Sequence, residues 1–107
     1  MIQIVYHKRL HRVTVNGHAN GGEYGQDLVC ATVSILAQTL AADVDHFRSG
    51  GYVRDCVLEL REGNAEISCK VQKKYRDSMK LIFDSICAGF ELLARDYPEC
   101  VQYEVRG

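Results

Sequence analysis

The chain has 107 residues, 47% hydrophobic and 25% charged, which is the balance of one globular domain spanning 1–107 and excludes a disordered or low-complexity polymer. Thirteen Lys and Arg against fourteen Asp and Glu leave a net charge of -1. No global positive field is available to hold a phosphate backbone, so direct nucleic-acid binding is not expected.

The first strand is predicted over Ile2–Tyr6, with Ile2, Ile4 and Tyr6 on one face. The polar run His7-Lys8-Arg9 reads as a hairpin turn, and a second strand follows from Leu10 to Val15, ended by Asn16-Gly17. The segment Ala19-Asn20-Gly21-Gly22-Glu23-Tyr24-Gly25 has three glycines and no hydrophobic period, and is expected to be a mobile loop. A helix is predicted from about Asp27 to Asp45. Val29, Val33, Leu36, Leu40 and Val44 make its apolar stripe, and Asp27 is the expected N-cap. Ser49-Gly50-Gly51 breaks the chain. Tyr52–Arg61 and Ala65–Gln72 then read as a hairpin around Glu62-Gly63-Asn64, with Ala65, Ile67, Cys69 and Val71 alternating onto a buried face. A second helix is predicted from about Asp77 to Asp96, with Met79, Ile82, Phe83, Ile86, Phe90, Leu93 and Ala94 as its stripe. It stops at Tyr97-Pro98, because a residue before proline avoids helical angles. Val101, Tyr103 and Val105 alternate in a last strand. The order ββαββαβ predicts an α+β fold: a mainly antiparallel sheet with two helices packed mostly on one face.

Met1 to Lys8 has no basic lead and no long apolar run, so no export signal is expected, and no window is expected to reach the ~20 apolar residues of a membrane span. Five cysteines, an odd number, point to reduced thiols in a cytoplasm. No two of them stand at C-x-x-C spacing, so neither a structural metal nor a cofactor is called for. Cys56, Cys69 and Cys87 are expected in the core, and Cys100 partly exposed. His7 and His11 are expected to be solvated and His46 to cap a helix end. Lys73-Lys74-Tyr75-Arg76 reads as a solvated lead into the second helix.

Cys30 falls in the first turn of the first predicted helix, where free N–H groups and the positive end of the helix dipole favour a thiolate. His18 lies at the far end of the glycine loop and is placed to take the thiol proton and return it to a leaving amine. Helix-start N–H groups, that of Cys30 included, are candidates for an oxyanion hole. Asp27 is a candidate to orient His18, though a carboxylate beside a thiolate would oppose its ionisation, so it must point away from Cys30. Ser34, one helical turn past Cys30, either bonds within the site or closes a turn. On residue chemistry alone a second interpretation stands beside this one: Cys30 packs in the core and His18 is a solvated strand end.

Gly17-His18-Ala19, a glycine-bearing loop, then Gly25-Gln26-Asp27-Leu28-Val29-Cys30-Ala31 with Ser34 resembles the ribosomal-processing cysteine protease family, of the Prp or YsxB type. The pattern is G-H-A, then G-x-D-x-V-C-A, then a serine four residues past the cysteine; every position matches. The resemblance implies a cytoplasmic bacterial endopeptidase. Its substrate would be a ribosomal protein precursor of the large subunit, cut after an aromatic pair to remove an N-terminal extension. It also implies His18 and Cys30 as the dyad and a homodimer, with no membrane partner. In this reading Ala19, Asn20, Gly21, Gly22, Tyr24 and Gly25 form a substrate loop, with Tyr24 as its lid contact. The alternative is a non-catalytic ribosome-associated protein that uses the loop for docking. A thiol redox sensor is a third reading, weakened because no resolving cysteine lies near Cys30 in sequence.

Overall fold

The computed structural model describes residues 1–18 and 26–107. Strands β1 (Ile2–His7) and β2 (Arg12–Asn16) precede helix α1 (Gln26–Ser49). Strands β3 (Val53–Arg61) and β4 (Asn64–Val71), helix α2 (Arg76–Asp96) and strand β5 (Val101–Arg106) complete the order ββαββαβ. The sheet order is β3-β4-β2-β1-β5. All neighbours are antiparallel except β1 and β5, which run parallel. The expected α+β fold with its mainly antiparallel sheet is what the structure shows.

The alternating strands set the inner face. Ile2, Ile4 and Tyr6 of β1, Val13 and Val15 of β2, and Ala65, Ile67 and Cys69 of β4 are buried. Against them lie Val29, Val33, Ala37, Leu40 and Val44 of α1 and Met79, Phe83, Cys87 and Phe90 of α2. The two helices pack on each other as well as on the sheet. Each helix therefore buries one stripe, and burying a large apolar side chain contributes roughly 1.5–3 kcal/mol.

Several boundaries differ from the sequence reading, each for a local reason. The β1–β2 connection is a 3-10 turn over Lys8–Leu10, so β2 begins at Arg12 and not at Leu10. His11 ends that turn with φ +47. It is half-buried rather than solvated, because its ring lies edge-on to Phe83 at 5.7 Å. Helix α1 begins at Gln26, which puts Asp27 inside the first turn and not at the N-cap. It also runs one turn past Asp45: Phe47 packs against the core, and Arg48 pairs with the Asp45 carboxylate. Gly51, at φ +80, then turns the chain away. Cys100 is 6% exposed, not partly exposed as expected. Its carbonyl accepts from Ile2 N–H at 2.8 Å, which draws it against β1.

The stretch Asp27–Ser49 is long and apolar enough, by length and composition alone, to cross a membrane, which the sequence reading had not expected. Its stripe from Val29 to Val44 is spent on the sheet and on α2, as in the core helix of a globular fold.

Candidate active site

The site forms where β2 ends and α1 begins. At the close of β2, Gly17 takes φ +104, and a Cβ there would stand 2.2 Å from the Met1 carbonyl oxygen. Only glycine fits. Gly17 N–H donates to Gly63 O at 2.9 Å. The amine of Met1 donates to His18 O at 2.7 Å. The backbone that carries His18 is thus held from both sides, while the residue itself is exposed.

On the facing side, Cys30 projects from α1. It is half-buried, packed against the core on one side and lining the cleft on the other. In a helix that includes Gln26, the N–H of Cys30 has the Gln26 carbonyl four residues behind it. The N–H of Cys30 is therefore taken up inside the helix, a correction to the expectation that it is free. Cys30 remains within a turn of the positive end of the dipole.

His18, Asp27, Cys30 and Ser34 line one cleft of about 700 Å³. Its inner wall is apolar, from Ile2, Val15, Val33, Ala37 and Ala65, and its far wall is the β3–β4 turn from Arg61 to Asn64. Asp27 and Ser34 are exposed at the mouth. Among the described residues no hydrogen bond joins His18 to Cys30 or to Asp27. The expected loop residues Ala19, Asn20, Gly21, Gly22, Tyr24 and Gly25 lie outside the described residues.

A model of the cysteine protease Prp family matches residues 1–102. The chain belongs to the Prp cysteine protease family. It is accordingly a cysteine protease, which sets aside the docking and redox-sensor readings. The fold agrees over nearly the whole length. The chain is similar to SMU.848 from Streptococcus mutans at 28% identity and a TM-score of 0.68, with 99% of this chain and 94% of that one covered. It is also similar to Prp from S. aureus, an essential ribosomal processing protease, solved with a covalently linked product peptide. That match has 22% identity and a TM-score of 0.70, covering 98% of this chain and 97% of that one. The same S. aureus protease with a substrate peptide gives 20% identity and a TM-score of 0.71, over 98% and 97% of the two chains. A search of curated proteins finds no significant match.

All five cysteines of this Prp-family protease are free thiols. Burial pushes the Cys69 and Cys87 thiols up to about 12, so neither forms a thiolate at neutral pH. Burial also raises Cys56. Cys30 is the cysteine that opens on the cleft. Among the described residues no group of three His, Cys, Asp or Glu could hold a metal ion.

The sequence reading did not foresee the β3–β4 turn as part of the site. The Glu62-Gly63-Asn64 turn was legible, but its place was not. The pairing of Asn16 with Asn64 carries it beside His18, and that pairing joins strands separated by α1 and β3.

Proposed function

We propose that this protease removes the N-terminal extension of a bacterial large-subunit ribosomal protein, with Cys30 as nucleophile and His18 as general base and acid. The observation that carries the reading is that the cysteine and histidine of the family motif, far apart in sequence, line one cleft. The S. aureus protease solved with substrate and covalently linked product peptides supports a peptide as occupant. The apolar inner wall, from Val15, Val33 and Ala37, suits the aromatic side chains at the expected cut.

The chemistry follows from the two groups. His18 takes the proton from the Cys30 thiol, and the thiolate sulfur attacks the scissile carbonyl carbon. As the tetrahedral intermediate collapses, the C–N bond breaks and His18 returns the proton to the leaving amine. The acyl group is left as a thioester on Cys30. A water that loses its proton to His18 then attacks the thioester, and the departing sulfur recovers a proton. In this reading Asp27 and Ser34, exposed on the same cleft, support these steps.

Incubation with the full-length ribosomal precursor, followed by mass measurement, tests the reading. Two products that sum to the precursor plus water, separated after an aromatic pair, are expected. An unchanged precursor mass would sink the proposed substrate. The homodimer is likewise a proposal, supported by exposed apolar residues on both helices, Leu28 and Ile35 on α1 and Leu81 and Leu92 on α2. Sedimentation at the single-chain mass at micromolar concentration would refute it.

A further inference from the structure

Gly63 sits in the β3–β4 turn at φ +74, in the left-handed region that favours glycine. The turn itself would accept asparagine there. What makes glycine necessary is its neighbour. A Cβ built at position 63 would lie 2.3 Å from Nε2 of His18 and 2.7 Å from its Cε1. The imidazole rests by its outer edge on the bare Cα of Gly63. The same turn is tied to the histidine's own segment by the bond from Gly17 N–H to Gly63 O at 2.9 Å.

We propose that Gly63 is a positioning residue for the general base: its missing side chain is the seat that keeps the His18 ring in the cleft with Cys30. This inference rests on the role given to His18 above. Three glycines at positive φ separate its parts. At Gly17 the atom in the way is backbone, the Met1 carbonyl oxygen, which cannot yield without moving β1. At Gly51, φ +80, nothing lies within 4 Å. At Gly63 the atoms in the way belong to the end of a side chain on an exposed residue, which can swing aside. A methyl group at 63 therefore displaces the base more readily than it disrupts the fold. Misplacing a reacting group by about 1 Å can cost ~10²-fold in rate.

The test compares Gly63→Ala, Gly63→Asn and Gly51→Ala, with His18→Ala as the reference and Gly63→Ala/His18→Ala as the double variant. Turnover of the precursor, thermal unfolding and the pH profile of Cys30 alkylation are measured for each. Gly63→Ala and Gly63→Asn should lose about 10²-fold in kcat with KM within a few-fold. Their alkylation profiles should move to that of His18→Ala. Asn tolerates positive φ, so its loss reports the Cβ and not the backbone. Gly51→Ala carries the same backbone strain with open space around it and should keep its turnover. In the His18→Ala background, Gly63→Ala should cost nothing further. Wild-type turnover and alkylation profile in Gly63→Ala would overturn the seat, as would an undiminished loss in the double variant. Failure of both Gly63 variants to fold while Gly51→Ala folds would also overturn it, since the ring would then not be the element that yields. Wild-type turnover in His18→Ala would instead overturn the base itself.

Discussion

The two ends of the sheet each present a histidine beside a turn, and they use it in opposite ways. At the far end His11 is half-buried, edge-on to Phe83. Burial lowers its pKa and the nearby Arg76 charge lowers it further, against a smaller opposing pull from Asp84. Around it Tyr6 donates to Asp84 at 2.9 Å and Lys80 pairs with the same carboxylate at 2.5 Å. At the cleft end, among the described residues, His18 is hydrogen-bonded only through its backbone and leaves its ring exposed against Gly63. The far end has its titratable groups committed to one another and to the core. The cleft end fixes main chain and leaves side chains available. The base proposed at His18 must exchange protons with the Cys30 thiol and the leaving amine, and an exposed ring on a fixed backbone suits that role.

The contrast breaks most sharply at the thiols. Cys30→Ala should abolish cleavage of the precursor while the thermal transition stays close to that of the parent, because Cys30 is only half-buried. In the parent, a limiting amount of iodoacetamide should label Cys30 ahead of Cys69 and Cys87, whose thiols burial holds at about 12. Peptide mapping that finds Cys56 or Cys100 modified first, together with residual cleavage by Cys30→Ala, would remove Cys30 as the nucleophile. Next in size is the base. His18→Ala should lose on the order of 10²–10⁴ in rate at neutral pH. It should recover in part as pH rises toward the free thiol range near ~8.5, where the thiolate forms unaided. The equivalent loss of the far-end ring, His11→Asn, should leave neutral-pH turnover close to that of the parent. An equal loss in both would erase the distinction between the two ends.

How much of this was legible follows from which interactions are local. The stripes of α1 and α2 and the alternation of β4 depend on residues a few places apart, so periodicity revealed them. Gly17 marked the end of a strand and Gly51 a break in the chain, and the structure gives them φ +104 and +80. The motif pair His18 and Cys30 was readable, and the structure puts both on one cleft. The rest depended on contacts distant in sequence. Position 63 became part of the site only through the β2–β4 ladder. His11 looked solvated beside Lys8 and Arg9, yet φ +47 turns its ring onto Phe83, seventy-two residues on. Cys100 looked half-exposed beside Glu99, but the bond from Ile2 N–H to its carbonyl closes it in. Asp27 fell inside the first turn and not at the boundary it was expected to mark, because Gln26 is already helical.

The Tyr6 hydroxyl gives a smaller effect, on stability alone. Its ring is 2% exposed, and burial and the adjoining carboxylate both raise its pKa, so it remains a neutral donor. Tyr6→Phe should cost about 1.5–3 kcal/mol in urea unfolding, the usual net value of a hydrogen bond to a charged group. It should leave precursor turnover unchanged, since the bond lies at the other end of the sheet from the cleft. A loss of turnover with unchanged stability would tie the two ends together and defeat the comparison.

The smallest effect is the pH dependence that His11 imposes. Its folded pKa lies below its value in the unfolded chain, so near and below about 6.5 the unfolded state binds the proton more readily. The stability it confers is therefore full above that pH and is lost as pH falls toward the lower folded value. Asp84 behaves with the opposite charge and in a lower window. Burial alone would raise it, but the bonds from Lys80 and Tyr6 outweigh that and hold the carboxyl below its usual range. Its contribution persists above about 3.9 and fades only as pH falls through the folded value. Asparagine is the replacement of choice at 11, because it accepts φ +47 and does not titrate. Losing the contact with Phe83 should lower stability somewhat at every pH. The informative quantity is the slope: between pH 7 and pH 5 the stability of His11→Asn should fall less than that of the parent. Urea unfolding at three pH values across that interval measures it, and parallel curves for the two proteins would show that His11 takes up its proton equally in both states and contributes no slope.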